Sequence, residues 1–225
     1  MFGSLKKSVE KLTGFVAVVM VFCTLSSSVL AVSHAKLYDD NVVLAAEQEG
    51  VEGFVTRLFQ TCLGRQPDAG GLEYWTGELR KNILTGIGAA EYFFNSEEFK
   101  AKNLNDSGFL DILYTTLMGR QADTGGKEYW QGYLDNGSAR SGVLRAFLNS
   151  VEFGNICLQY GITKGVAQPK ENRDYNLNLT AFVFRLYTKV LGRNADADGL
   201  NFWTGNLIHN DWTAIQTALH SGYLR

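Results

Sequence analysis

The 225-residue sequence has little of what metal centres are made from: three cysteines and three histidines, widely scattered. Structural zinc takes four ligands at set spacing, so no metal site is expected. A Lys/Arg stripe is also missing. The 21 basic residues are offset by 23 acidic ones for a net charge of −2. Without clustered positive charge to meet phosphates, nucleic acid and anionic membrane surfaces are set aside as partners. No Ser/His/Asp set is present, and no glycine loop with Lys-Ser/Thr opens a helix to cradle phosphate. Carboxylates such as Glu73, Glu97, Glu98, Glu128 and Glu152 fall where a solvated helix face or a first-turn dipole partner is expected, and nothing singles out an acid–base pair. No catalytic residue and no cofactor is expected. Sustained apolar/polar alternation is absent too, which leaves little or no β-structure.

One apolar run stands out, Phe15 to Leu25, preceded by Lys6, Lys7 and Lys11 and followed by Ser26, Ser27 and Ser28. It is shorter than the roughly 20 apolar residues that span a bilayer. Residues 1–35 therefore read as a secretion signal, with small residues offering cleavage after Ala31 or Ala35. Retention as an N-terminal anchor is the alternative. Removing this segment, with its three lysines and one glutamate, takes the net charge from −2 to −4. No second apolar span follows, so no membrane span is expected after signal removal. Export makes a disulfide between Cys62 and Cys157 chemically permissible. A buried thiol is the other reading, because Cys62 takes a helical position that is apolar Leu117 and Val190 elsewhere.

What is present is repetition. Leu63-Gly64-Arg65, Asp68, Gly71, Tyr74-Trp75, Gly77 and Leu79 recur as Met118-Gly119-Arg120, Asp123, Gly126, Tyr129-Trp130, Gly132 and Leu134. They recur again as Leu191-Gly192-Arg193, Asp196, Gly199, Phe202-Trp203, Gly205 and Leu207. The tryptophans are 55 and then 73 residues apart, so the second interval holds an insertion, placed at Gly161 to Leu179 with its Pro169 and polar residues. Before each string lies an apolar stripe at helical steps, Phe54, Val55, Leu58, Phe59, Cys62 and Leu63 in the first copy. Gly64, Gly119 and Gly192 follow where a helix end takes left-handed backbone. Asp68, Asp123 and Asp196 then suit N-caps of a second helix. A third helix is expected from Thr85 to Asn95 with Ile87, Ala90, Phe93 and Phe94 inward. Ser96 and Ser150 are expected to cap a further turn.

The spacing predicts an all-α tandem array of three units of about 55 residues. Its segments are a signal at 1–35, a leader linker at 36–50, units at 51–107 and 108–160, a connecting segment at 161–179, and a slightly truncated third unit at 180–225. The string, with Asn-Ser-x-Glu-Phe endings at Asn95 to Phe99 and Asn149 to Phe153, resembles the bacterial family called domain of unknown function 4214. The unit also looks like a distant relative of the phycobilisome linker domain. The resemblance implies a helical fold and a secreted or surface-associated setting, and the family has no established activity to carry over. Two departures are local: Lys127 stands where the other units have Leu72 and Leu200, and Asp198 replaces Gly70 and Gly125.

Three features have competing readings. Arg65, Arg120 and Arg193 either form exposed recognition pairs with the nearby aspartates or bond those caps and the helix-end carbonyls. Asn194, Asp196, Asp198 and Gly199 imitate half a calcium loop, but Gly205 falls where the closing glutamate belongs, so capping is expected. Trp75, Trp130 and Trp203 are expected as the large core residue of each unit, with Tyr74, Tyr129 and Phe202 beside them half exposed as candidate ligand contacts. The expected function is a secreted or cell-surface, non-enzymatic interaction or structural module. Its partner is an unknown protein or glycan of the extracellular or envelope space, and carbohydrate binding through those rings is the alternative.

Overall fold

The structure is a computed structural model that describes residues 50–209. The expected signal with Ala31 and Ala35, the leader linker before residue 50, and His220 lie outside the described residues. Within them the chain is helical, without a strand, and no helix is long and apolar enough to cross a membrane.

Unit 1 comprises α1 (Val51–Arg57), α2 (Ala69–Arg80), α3 (Gly86–Asn95) and the short α4 (Glu97–Lys100). Unit 2 repeats them as α5 (Asp106–Leu113), α6 (Thr124–Asp135), α7 (Arg140–Asn149) and α8 (Val151–Gln159). A 3-10 turn, Asn172–Asp174, precedes α9 (Leu177–Arg185) and α10 (Ala197–Ile208) of unit 3.

The caps follow from short polar side chains that accept orphan helix N–H groups. Thr85 caps α3 through Gly88, Ser96 caps α4 through Phe99, and Ser150 caps α8 through Phe153. Ile87, Ala90, Phe93 and Phe94 point inward as expected. In unit 2 the position of Thr85 is Ala139, and α7 starts without a side-chain cap.

A feature with no sequence precursor is that the first helix of every unit widens into a π-helical turn: Leu58–Leu63, Tyr114–Met118 and Leu186–Val190. The π turn shifts the exit of the chain, and left-handed glycines close the first two at φ 77° and 71°.

Units 1 and 2 share one core. Phe54 of unit 1 meets Phe153 of unit 2, ring centroids 6.4 Å apart, and the equivalent Phe109 of unit 2 meets Phe99 of unit 1, also at 6.4 Å. The equivalent threonines Thr61 and Thr116 touch each other through their hydroxyls at 2.9 Å. Contacts in which i meets j′ while i′ meets j mark a local two-fold relation, the pattern of a symmetric dimer inside one chain. One member breaks it: Arg57 donates to the carbonyls of Thr116 at 2.7 Å and Thr115 at 2.9 Å, whereas its counterpart in unit 2 is Ile112.

The bridge considered between Cys62 and Cys157 is not formed. Both are free, buried thiols in the shared core, and burial pushes them up to about 12 and about 11. They serve as small apolar fillers.

Unit 3 has its own small cluster, Val183, Tyr187 and Leu200. Phe182, Leu186 and Val190 occupy the register of Phe54, Leu58 and Cys62, yet they are only half-buried. The connecting segment joins it to unit 2 through Asp174, which is buried and accepts from Ser141 at 2.9 Å and from the Lys170 N–H at 3.1 Å. Tyr133 adds a hydrogen bond to Asn178 at 2.8 Å. The Lys127 departure is matched by a second one: Lys127 binds Asp111 at 2.6 and 2.7 Å, while in unit 3 the same two registers hold Leu200 and Phe184.

Candidate functional site

The recurring string builds the same local object three times. After the left-handed glycine, the N–H of Arg65 reaches back to the carbonyl of Phe59 at 3.2 Å, Arg120 to Tyr114 at 3.4 Å, and Arg193 to Tyr187 at 3.2 Å. Each guanidinium then lies over the ring of the residue it has just bonded, at 4.7, 5.1 and 4.6 Å from the centroid. Such stacking contributes about 0.5–1 kcal/mol at an exposed position.

Asp68, Asp123 and Asp196 cap the next helix by accepting from Gly71, Gly126 and Gly199 at 2.7, 2.8 and 2.6 Å. The Gly126 N–H, helped by Arg120, holds the Asp123 carboxyl below its ordinary range. Gly126 and Gly199 are required by the stacked ring, because a Cβ on either would sit 2.5 Å from the hydroxyl of Tyr114 or Tyr187. Asp196 is thus engaged as a cap. Among the described residues no group of three His, Cys, Asp or Glu side chains is placed to hold a metal ion.

The arginines have a main partner that reading the turn alone missed. Arg65 grips Glu98 with two hydrogen bonds of 2.5 and 3.0 Å, and Arg120 grips Glu152 at 2.8 and 3.4 Å, with Asp123 secondary at 3.3 Å. The pairing holds Glu98 below and Arg65 and Arg120 above their ordinary values. The available signal was the glutamate of Asn-Ser-x-Glu-Phe, present in the first two units; Tyr223 stands in that register of the third. Among the described residues Arg193 has no carboxylate partner.

The tryptophans are not the core residues they were expected to be. Trp75, Trp130 and Trp203 are half-buried, packed on the rim of the core. Phe93 and Phe147 take the interior, exposed by 2% and 3%. The reason is the placement of α2 and α6 at the surface: Leu79 and Leu134 reach inward, whereas an indole four residues earlier meets the edge. Rings connect inside to outside. Phe59, Phe93 and Trp75 follow at 4.9 and 5.0 Å, ending on Tyr74 and Tyr92 at 5.4 and 4.8 Å from the indole. In unit 2, Tyr114, Phe147 and Trp130 follow at 5.1 and 5.0 Å and end on Tyr129 and Tyr133. Phe202 lies 5.1 Å from Trp203. The outer rings Tyr74, Tyr129 and Phe202 are a little over half exposed, in line with the expectation, at 60%, 57% and 57%, and Tyr92, which the sequence did not single out, joins them at 64%.

Gly77 and Gly132, two residues past Trp75 and Trp130, have nothing among the described residues within 4 Å of where a Cβ would stand. Beside Gly132, an open depression of about 590 Å³ is lined by polar side chains that include Asp123, Glu128 and Asp135.

A model of the family described as Domain of unknown function (DUF4214) matches residues 45–87, 90–157 and 167–217. The chain belongs to this family, which matches it in three segments, one over each copy of the recurring string. No curated protein and no solved structure gives a significant match.

Proposed function

We propose that the protein is an exported, non-enzymatic interaction module that works at the cell surface or in the medium and offers its outer aromatic rings to a partner. The observation that carries this reading is the exposure of Tyr74, Tyr92, Tyr129 and Phe202, each at 57% or more. Isolated exposed apolar residues are ordinary, but Tyr74, Tyr129 and Phe202 recur at one register, and all four are held by ring contacts to half-buried tryptophans. Rings pre-positioned in this way lose little conformational freedom on binding, which is why Tyr and Trp dominate binding hot spots. The stacked arginines, the capping aspartates and the glycines that close the turn and cap site all serve the fold of the unit, which supports a non-enzymatic role.

The test is affinity capture of the exported chain from the envelope and medium of the producing cell, alongside a Tyr74→Ala, Tyr129→Ala, Phe202→Ala variant. A specific companion lost in the variant is the expected result. Equal capture by both forms would remove these rings from the function. A second reading, binding of wall or host glycan, is favoured by the Tyr74, Trp75 and Tyr92 cluster, where two exposed rings flank an indole as a stacking surface for sugar. Glycan-array binding lost in Tyr74→Ala would select it over a protein partner.

A further inference from the structure

Unit 3 shows in cis what its second helix can hold. The 3-10 turn Asn172–Asp174 lies on α10: the Arg173 N–H donates to the Asn201 side-chain oxygen at 3.1 Å. One helical turn further along, the Asn172 amide sits where a Cβ on Gly205 would be, its Cγ 2.9 Å from that point. Gly205 is therefore glycine because a polypeptide turn lies on it.

Units 1 and 2 carry the same face with nothing on it among the described residues. Glu73 and Gly77, and Glu128 and Gly132, hold the registers of Asn201 and Gly205. Among the described residues neither glycine has an atom within 4 Å of its absent side chain, so packing among them does not require glycine there. A glycine inside a helix is nonetheless disfavoured over alanine. The carboxylates of Glu73 and Glu128 have no hydrogen-bond or ion-pair partner among the described residues, and a carboxylate accepts a backbone N–H at least as well as the Asn201 amide does. In unit 2 the face opens into the depression lined by Asp123, Glu128 and Asp135. Lys127, the lysine beside them, is already held by Asp111.

From this we infer that the Glu73/Gly77 and Glu128/Gly132 faces are docking sites for a turn of a partner polypeptide. That turn places an asparagine-like small polar side chain on the glycine and donates the next N–H to the glutamate. The acidic lining suits a turn that carries a basic residue beside the polar one, as Arg173 follows Asn172 in unit 3. This deepens the interaction reading above by naming where and what the module grips.

The probe is a peptide with the sequence of residues 168–176, whose Asn172 and Arg173 make the contact in cis, titrated into the isotope-labelled full chain and read at the Gly77 and Gly132 amide resonances. Saturable shifts at both glycines are expected, with the peptide carrying Asn172→Ala binding at least tenfold more weakly. Gly77→Ala with Gly132→Ala should abolish the shifts around Glu73 and Glu128 while leaving the melting temperature equal or higher. No shift at either glycine, or equal binding to the alanine variant, overturns the inference. If capture of the natural partner is lost with the aromatic variant but kept with the glycine variant, docking on the glycines is wrong and the interaction reading stands. Loss with neither sinks both.

Discussion

Units 1 and 2 solve the burial problem differently from unit 3, although all three carry the same string. The first two lay Phe54 and Phe109 into one another's last helices and bury them to 0% and 3%. Unit 3 leaves Phe182 half-buried and leans on the connecting segment. A unit of this size buries little apolar surface alone, so each needs a neighbour. The pair uses its own repeat, and the third uses a polar turn. The motif accordingly specifies the inside of a unit, and what surrounds the unit decides how stable it is.

The largest way to break this contrast is to empty the shared core. Leu113→Ala should cost about 2–5 kcal/mol and unfold units 1 and 2 together, read by chemical denaturation. Leu186→Ala, in the same register of unit 3 but half-buried, should cost well under half as much and leave the pair folded. Next comes the one asymmetric tie: Arg57→Ala should cost about 1.5–3 kcal/mol, because it frees the buried carbonyl of Thr116. Equal costs at Leu113 and Leu186, or none at Arg57, would erase the distinction between the pair and the third unit.

The glycines sharpen the contrast through the sign of the effect. Gly77→Ala and Gly132→Ala should each stabilise by about 0.5–1 kcal/mol, since their space is open. Gly205→Ala should destabilise by about 1–2 kcal/mol by pressing on Asn172. Melting curves of the three variants check this.

The smallest effects are electrostatic. Glu98 and Asp123 are held below their ordinary values by Arg65 and by the Gly126 N–H. Their contribution is present above the ordinary carboxylate range and is lost as pH falls through the depressed values, below about pH 4. Glu98→Gln should flatten that acid limb and cost under about 1 kcal/mol at neutral pH, because the pair is exposed. Thiol reagents at neutral pH should spare Cys62 and Cys157 until the shared core unfolds, since both are closed off from solvent and burial keeps their thiols protonated.

Much of each unit was legible from residues alone because its chemistry is local. A left-handed glycine, an aspartate three residues before the N–H it caps, and a serine before Glu97 or Val151 are short-range requirements, and Gly64, Asp68, Ser96 and Ser150 meet them. Long-range partners were not legible. Arg65 finds Glu98 across 33 positions and Thr61 finds Thr116 across 55. Helical spacing placed the tryptophans on an apolar face without telling the middle of that face from its rim. The π turns were invisible because their apolar spacing fits an ordinary helix.

Hydrogen exchange of the native chain tests the central claim most directly, because it reads the opening free energy of each helix separately. Amides of α1 and α5 should exchange at one common, highest free energy and respond together to Leu113→Ala, while α9 and α10 open at a lower value that Leu113→Ala leaves unchanged. Independent opening of α1 and α5, or one value shared by all three units, would contradict the account.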